Sequence, residues 1–549
     1  MKKNLSFKFL FLFCLSLALT SPVQSAVELS NTGAEYRFGQ VKALSRPLSW
    51  RKLTTPHFEI FFYQGLEELA QRSARILEEE AFGRVFPDFR SLYTLTPYRK
   101  IRVILFASRK EYQNSQASGL SLTDTSEGVA HILINRLVVI GQPTFRDLRG
   151  VLTHEITHLI TIGPFRNNLL YGVTDGVPGW IAEGLAEYYM PAETRFPNRE
   201  VALRDVVLRD EVDKLSTIST VSGNLHYAEA WSLIDYLART YGKDKLVVML
   251  EAVVKQGHRD QTFKRIFGRS LEELWTDWRE ELKTIYQAGA DLPPFTGENE
   301  ALFPDYQSQY AVKTGPGGEV FFLSTHLGRI YDLYMADGTQ VRKLTEQTVL
   351  DYDLAPDGRE LVFLSDEEGE RRLYRLDLTS GVVVPIAAEI TNPIEVAWSP
   401  QGDCLVVAAN LKGDTDLFLL TPDGRLLEVV ADSEEDETAP AWKADGQQLV
   451  YVASKGSYDQ LYLWDGETTR QLTGGNEHHR SPVWDGDGKL YCLTGEHGYY
   501  RPAAVDPATG TVTTFWPYRE SVLELAPAED GFFLILYNDK RAEIYRFQP

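Results

Sequence analysis

The chain reads as two folds in series, an α+β domain followed by an all-β six-bladed propeller. Three observations predict this. At 549 residues the chain is longer than one hydrophobic core sustains. A turn phrase recurs through the C-terminal half at intervals of 40, 44, 44, 42 and 43 residues, and charge divides near residue 300. With 43% hydrophobic and 24% charged residues the composition is that of globular protein and excludes a disordered chain.

The first element is an export signal over residues 1–26. Lys2, Lys3 and Lys8 precede the apolar run from Phe9 to Leu19, and small residues follow at Ser21, Ser25 and Ala26. The run is shorter than the ~20 residues a spanning helix needs, and no later segment reads as transmembrane. Cys14 lies within the signal and follows Leu12 and Phe13, where a lipoprotein signal has small residues. Cys404 and Cys492 stand far apart in strand-like segments, so no disulfide framework is expected and both read as buried and inert.

The N-terminal domain is expected over residues 27–290. Pro56 to Tyr63 alternates like a strand, and Gly65 to Phe82 carries Leu66, Leu69, Ala70, Ile76 and Leu77 at helical spacing. Ile101 to Phe106 and Gly128 to Asn135 read as two further strands, the second leading through a loop to a helix. Later helices are expected from Leu225 with an apolar stripe of Ala230, Leu233, Ile234 and Leu237, over Lys245 to Lys255, and from a Ser270-Leu271-Glu272-Glu273 cap through Trp275 and Trp278. Strands followed by helices make an α+β domain, and Asp291-Leu292-Pro293-Pro294 opens a linker over residues 291–302.

The C-terminal half, residues 303–549, is the repeat. Gly318, Gly358, Gly402, Gly446, Gly488 and Gly531 close similar phrases, as in Ala397-Trp398-Ser399-Pro400-Gln401-Gly402 and Ala441-Trp442-Lys443-Ala444-Asp445-Gly446. Four short strands per repeat is the period of a propeller blade, and six repeats close a ring. The repeated Trp, Pro and Gly read as packing and turn chemistry rather than ligand contacts. Residues 301–549 hold 41 acidic and 20 basic side chains, whereas residues 1–300 hold 36 of each. That excess argues against nucleic acid or an anionic membrane as partner of this half, and a solvated acidic surface is its simplest reading. The phrasing resembles the TolB-type propeller repeats of bacterial envelope proteins.

The chemistry lies in the first domain. On the helix following Asn135, His154-Glu155-Ile156-Thr157-His158 places two imidazoles four apart on one face, where both can hold one zinc ion with the Glu beside it as a base. Val151, Leu152, Ile156 and Leu159 already supply that helix with apolar faces, so packing does not require the three polar residues. A catalytic zinc takes three protein ligands and keeps one open position. Pro178-Gly179-Trp180-Ile181-Ala182-Glu183-Gly184-Leu185-Ala186-Glu187-Tyr188 supplies Glu183 as the third ligand on a second helix. Glu187, one turn on, is placed to accept the remaining ring N–H of a ligand histidine.

Together these motifs resemble the gluzincin metallopeptidases of the peptidase MA-like type, over most of residues 50–290. The resemblance implies an α+β zincin-like metallopeptidase domain followed by the all-β six-bladed propeller. It further implies that His154, His158 and Glu183 bind one Zn2+ and that Glu155 is the catalytic base. In such enzymes the strand at Gly128, Val129 and Ala130 pairs with substrate backbone, and a Tyr or His near Leu225 to Trp231 donates to the oxyanion, with Tyr227 the first choice and His226 the second. Related aminopeptidases carry an acid in the strand motif. Gly128-Val129-Ala130-His131-Ile132 has none, so an endopeptidase acting on peptide or protein substrates is expected.

The competing reading is an envelope protein-binding scaffold in which the propeller docks a protein partner and the zinc domain is structural. Its sign would be loss of Glu155 or a fourth protein ligand, and neither is seen. A propeller-gated serine peptidase would need Gly-x-Ser-x-Gly, which the chain lacks.

Overall fold

The computed structural model describes residues 48–93, 98–108, 111–112, 128–142, 144–165, 177–191, 194, 197–212, 224–295, 301–326, 329–366, 371–410, 414–454, 458–538 and 541–548. The expected signal, with Cys14, lies outside the described residues.

The first domain packs helices on one mixed sheet. Its strands are β1 (Trp50–Thr54), β2 (Phe58–Tyr63), β3 (Ile101–Phe106), β4 (Gly128–His131) and β5 (Arg136–Ile140), in the order β1-β2-β3-β5-β4. Strand β3 lies parallel to both β2 and β5, and its alternation buries Ile101, Val103 and Leu105 while Arg102 faces out. The edge strand β4 runs antiparallel to β5, in the register Gly128↔Val139 to His131↔Arg136.

This corrects the expectation of one strand over Gly128 to Asn135. The chain leaves the sheet after His131, turns through a 3-10 segment at Ile132–Ile134, and reverses at Asn135 in the left-handed conformation, φ 52°. No glycine or proline marks the turn. Leu133 and Ile134 extend the apolar run through it although they are 74% and 54% exposed, which is why the sequence reads as continuous strand.

Among the described residues, nine α-helices and a π-helical turn cover the sheet. These are α1 (Glu67–Arg75), a π-helical turn (Ile76–Phe82), α2 (Gly83–Phe89), α3 (Phe145–Thr161), α4 (Gly179–Tyr189), α5 (Pro197–Leu208), α6 (Asn224–Tyr241), α7 (Lys243–Gln256), α8 (Asp260–Phe267) and α9 (Leu271–Ile285), the π turn joining α1 to α2. The helical run expected to stop at Phe82 therefore continues to Phe89. Helix α9 starts with a complete capping box between Ser270 and Glu273. Helix α5 was not anticipated: Ala202, Leu203, Val206 and Val207 join the main core while Val201 packs with the last blade, and burial on two sides erases the one-faced pattern.

One close approach fixes the site. A Cβ on Gly184 of α4 would sit 2.5 Å from the Ala230 carbonyl of α6, so only glycine lets these helices cross in contact. Trp180, fully buried, anchors the start of α4 against His258 and Phe263.

The second half is a six-bladed propeller of antiparallel meanders. Blades 1 to 5 have four strands each, β6–β9 (Gln307 to Lys343), β10–β13 (Asp351 to Pro385), β14–β17 (Pro393 to Ala431), β18–β21 (Glu437 to Gln471) and β22–β25 (His478 to Thr514). Blade 6 has three described strands, β26–β28 (Val522 to Phe547), and Leu302 N–H donates to Ile544 O on its outer strand, 2.9 Å, closing the ring. Gly402 and Gly446 make the expected turns at φ 73° and 68°. Of the expected linker, residues 291–295 and 301–302 are described, and Phe295 stacks on Trp516 and donates its N–H to Glu520.

Charge in this half departs from the simplest reading. Besides a solvated surface there are buried carboxylates, among them Asp414, Asp436 and Asp459 facing the first domain. Arg72 pairs with Asp414 and Arg146 with Asp459, both at 3.2 Å, across the seam between the domains. Cys492 is buried as expected, whereas Cys404 is half-buried, and both are free thiols. No helix among the described residues is long and apolar enough to cross a membrane.

Candidate metal centre

Helix α3 presents His154 and His158 on one face, and α4 brings Glu183 to them. His154 Nε2 lies 3.1 Å from Glu183 Oε2, the two histidine Nε2 atoms are 3.2 Å apart, and His158 Nε2 is 3.4 Å from Glu183 Oε2. Tetrahedral donors about 2.0–2.2 Å from a zinc ion lie roughly 3.3–3.6 Å from one another. The triangle of 3.1, 3.2 and 3.4 Å matches that spacing closely, and a two-nitrogen, one-carboxylate set suits zinc, so the residues fit the ion. The same three residues form a possible metal-binding group among the described residues.

The supporting residues are placed with them. Glu187, 2% exposed, meets His154 Nδ1 at 3.2 Å, the arrangement expected of a carboxylate that fixes a ligand's tautomer. It also accepts from Arg199 Nη1 of α5 at 2.5 Å, and the Arg199 guanidinium lies 4.8 Å over the Tyr227 ring. The Tyr227 ring in turn stands edge-on to His154, centroids 6.2 Å apart. His226, one residue earlier on α6 and therefore about 100° round the helix, is half-buried and does not share that face. Sequence reasoning missed Arg199, since α5 gave no periodic signal.

Glu155 points toward the edge strand. A Cβ on Gly128 would lie 3.0 Å from Glu155 Cγ and 3.0 Å from Val151 Cγ1, so β4 crosses directly over Glu155 with only hydrogen between. Val129 and Ala130 continue this strand, paired on one side with Val138 and Leu137.

Electrostatics bind the cluster in its protonated form. Burial pulls the His154 imidazole down, but hydrogen bonds to Glu183 and Glu187 outweigh it and raise its pKa to about 10. Burial likewise pushes Glu183 up, and the charges and hydrogen bonds of His158 and His154 reverse this, holding the carboxyl well below the usual range. For Glu187 burial is again outweighed, by His154 and then Arg199, and its pKa is lowered. A metal ion held by the triangle would take the place of the proton on His154 Nε2, with Nδ1–H kept on Glu187. Burial, then Glu183, lifts the Tyr227 phenol to about 12, so it remains a donor at neutral pH.

Comparison with known proteins agrees with this division. Residues 94–284 match the Peptidase MA superfamily, and residues 320–515 match the TolB beta propeller domain. A curated relative, a protein TolB homolog from Chlorobium luteolum, is 26% identical over 36% of this chain and 42% of its own length. An uncharacterized peptidase from Bacillus subtilis, YuxL, is 28% identical over 25% of this chain and 20% of its own. The chain thus covers less than half the length of these relatives. Among solved structures, TolB from Acinetobacter baumannii aligns at 16% identity over 50% of this chain and 70% of its own, with a TM-score of 0.31. The protein joins a Peptidase MA superfamily domain to a TolB-type six-bladed propeller.

Proposed function

We propose that the protein is an exported, zinc-dependent endopeptidase of the bacterial envelope that hydrolyses peptide bonds in polypeptide substrates. The observation that carries this is the His154, His158, Glu183 triangle at zinc-ligand spacing, with Glu155 next to it beneath an edge strand. In this reading residues 1–26 are a cleaved signal, 27–290 the peptidase domain, 291–302 the linker and 303–549 the propeller, which controls substrate access or docks an envelope protein.

Bound zinc supplies Lewis acidity that polarises the scissile carbonyl and acidifies the attacking water. The chain does the rest. Glu155 takes the proton of that water and passes it to the leaving amine. Glu187 holds the Nδ1 proton of His154 so that Nε2 faces the ion, and Arg199 holds Glu187. Tyr227 donates its phenol hydrogen to the oxygen on which negative charge develops. Strand β4 offers main-chain groups of Gly128, Val129 and Ala130 to an extended substrate, a recognition tolerant of side-chain sequence. No acid in the strand motif waits for a free amino terminus, which favours internal cleavage.

The test is to purify the mature chain, measure bound zinc, and compare wild type with Glu155→Gln on an unfolded protein. One zinc in both and cleavage by wild type alone supports the reading. Equal cleavage by both, or none by either, refutes Glu155 as base. A zinc-free wild type refutes the metal assignment.

A further inference from the structure

The first turn of a helix leaves four backbone N–H groups without helical acceptors. In α3, the helix that carries His154, Glu155 and His158, the three such donors that follow the Thr144 cap are all satisfied, and two of them by the other domain. Asp147 N–H donates to the Thr144 hydroxyl at 2.9 Å, and Leu148 N–H then opens the helical ladder on the Thr144 carbonyl at 3.1 Å. Phe145 N–H donates to Asp436 Oδ1 at 3.0 Å, and Arg146 N–H to Asp436 Oδ2 at 2.9 Å. Asp436 belongs to the propeller, just before β18, and is 4% exposed. Its Oδ1 also accepts Thr415 N–H of blade 3 at 3.0 Å, so the carboxylate is locked to its own domain while it receives the helix. A buried anion at a helix N-terminus is the favourable sign for the helix dipole.

Resting on the peptidase reading above, we propose that Asp436 is a positioning residue for the zinc site: the propeller caps and anchors the helix that carries the base and two ligands. The lever is short. His154 lies nine residues beyond Phe145, about 13–14 Å along one rigid helix. The partners of His154 and Glu155 stand on other elements, Glu183 on α4, Tyr227 on α6 and Gly128 on β4. Strand β4 packs on Glu155 so closely that a Cβ added at Gly128 would stand 3.0 Å from its Cγ, so a shift of α3 changes this contact directly. A displacement of roughly 1 Å at reacting groups costs up to about 100-fold in rate. The propeller therefore acts as part of the catalytic frame, and a ligand that shifts Asp436 would reach the zinc site through α3.

The test uses the full chain. Asp436→Asn keeps one acceptor and sets an amide N–H against the second helix N–H. Its expected signature is one bound zinc, faster amide hydrogen exchange confined to the first turns of α3, and kcat lowered roughly tenfold at a KM within about twofold of wild type. Arg72→Ala removes the seam's ion pair with Asp414 and a guanidinium 5.5 Å over the Phe145 ring, but leaves every α3 amide bond in place; it keeps wild-type exchange in α3 and wild-type kcat. If Asp436→Asn loses the propeller fold through Thr415, Phe145→Pro replaces it, deleting one donor at a position where helices accept proline, with Phe145→Leu as its side-chain control. The expected result is then a lower kcat for Phe145→Pro than for Phe145→Leu. The proposal is overturned if Asp436→Asn exchanges and turns over like wild type, if Arg72→Ala has the same effect, or if Phe145→Pro equals Phe145→Leu. Should wild type show no turnover, the peptidase reading fails, and the exchange pattern alone decides whether Asp436 anchors the helix.

Discussion

Replacing Glu187 by Gln tests the support of the metal centre without touching a ligand. The amide oxygen can still accept from His154 Nδ1, so geometry survives and the charge goes. Two partners lose it, His154 at 3.2 Å and Arg199 at 2.5 Å. Loss of such a supporting carboxylate costs roughly 10–100-fold in metal affinity, about 1.4–2.7 kcal/mol. The observable effect depends on pH, because zinc competes with a proton for His154 Nε2. Below the His154 pKa of about 10 the apparent affinity of wild type falls roughly tenfold for each pH unit. Glu183 meets that proton directly, and Glu187 on Nδ1 stabilises the charge it brings to the imidazole, so Glu187→Gln weakens proton and metal together. At pH 7 the two losses largely offset, while near pH 9–10 the metal loss stands alone. Chelator competition from pH 6.5 to 10 measures this: the wild-type and variant affinities should converge at low pH and separate by at least about tenfold at high pH. Equal affinities at pH 9.5, or a gap that widens as pH falls, would refute the role given to Glu187.

Three further outcomes follow from the geometry. Tyr227→Phe should keep its zinc and lower kcat by roughly 10²-fold with little change in KM, as steady-state kinetics on a peptide substrate will show; an unchanged kcat removes the phenol from the mechanism. Gly184→Ala pushes a methyl to 2.5 Å from the Ala230 carbonyl, which is backbone and cannot swing aside, so α4 and α6 must part; about 2–3 kcal/mol of stability should be lost in denaturant unfolding. Burial, with Asp351 adding to it, raises the pKa of Glu395 in the propeller interior to about 7, against lowering by the Ala439 N–H and Lys313; burial likewise raises Glu524 to about 7, against the Ala311 N–H. A carboxyl whose folded pKa is raised is neutral in both states below about pH 4.5, and between there and pH 7 only the unfolded chain ionises freely. Stability should therefore decline from about pH 5 to 7.5, by up to about 3 kcal/mol for each group, and level off above. Thermal melts of Glu395→Gln should show a smaller decline; an identical slope means the group is not responsible.

The His-Glu-x-x-His motif was legible because its residues are redundant for packing. Leu152, Ile156 and Leu159 bury α3, so two histidines and a glutamate on the same helix had no structural task left. The propeller was legible because a repeat states its period six times. What failed to show is what depends on tertiary contact. Strand β5 hides behind a turn made of apolar residues, since Asn135 alone supplies the left-handed step. Helix α5 is buried on two faces and lost its stripe, and with it went Arg199, whose partners Glu187 and Tyr227 lie on α4 and α6. Gly184 was in plain view between Glu183 and Leu185, yet its task, a helix crossing at contact distance, exists only once α6 is in place.

The acid excess of the propeller shows the same limit from the charge side. Counted along the chain it reads as a solvated surface, and exposed turn residues such as Asp357 fit that reading. Asp414, Asp436 and Asp459 do not, since they are buried against Arg72, the α3 amides and Arg146. A buried carboxylate persists where donors replace its water, and each of these finds its donors on the other domain. Asp459 takes Arg146 and, from its own domain, Arg480 and His478, and its pKa is held well below the usual range because these charges outweigh its burial. Removing the Arg146 guanidinium leaves Arg480 in place, so the seam should loosen there without exposing an unpaired charge. Removing Asp436 has no such reserve, because its two helix amides have no other acceptor in the first turn. The seam is therefore uneven: its ion pairs hold the domains together, and one carboxylate receives the first amides of α3.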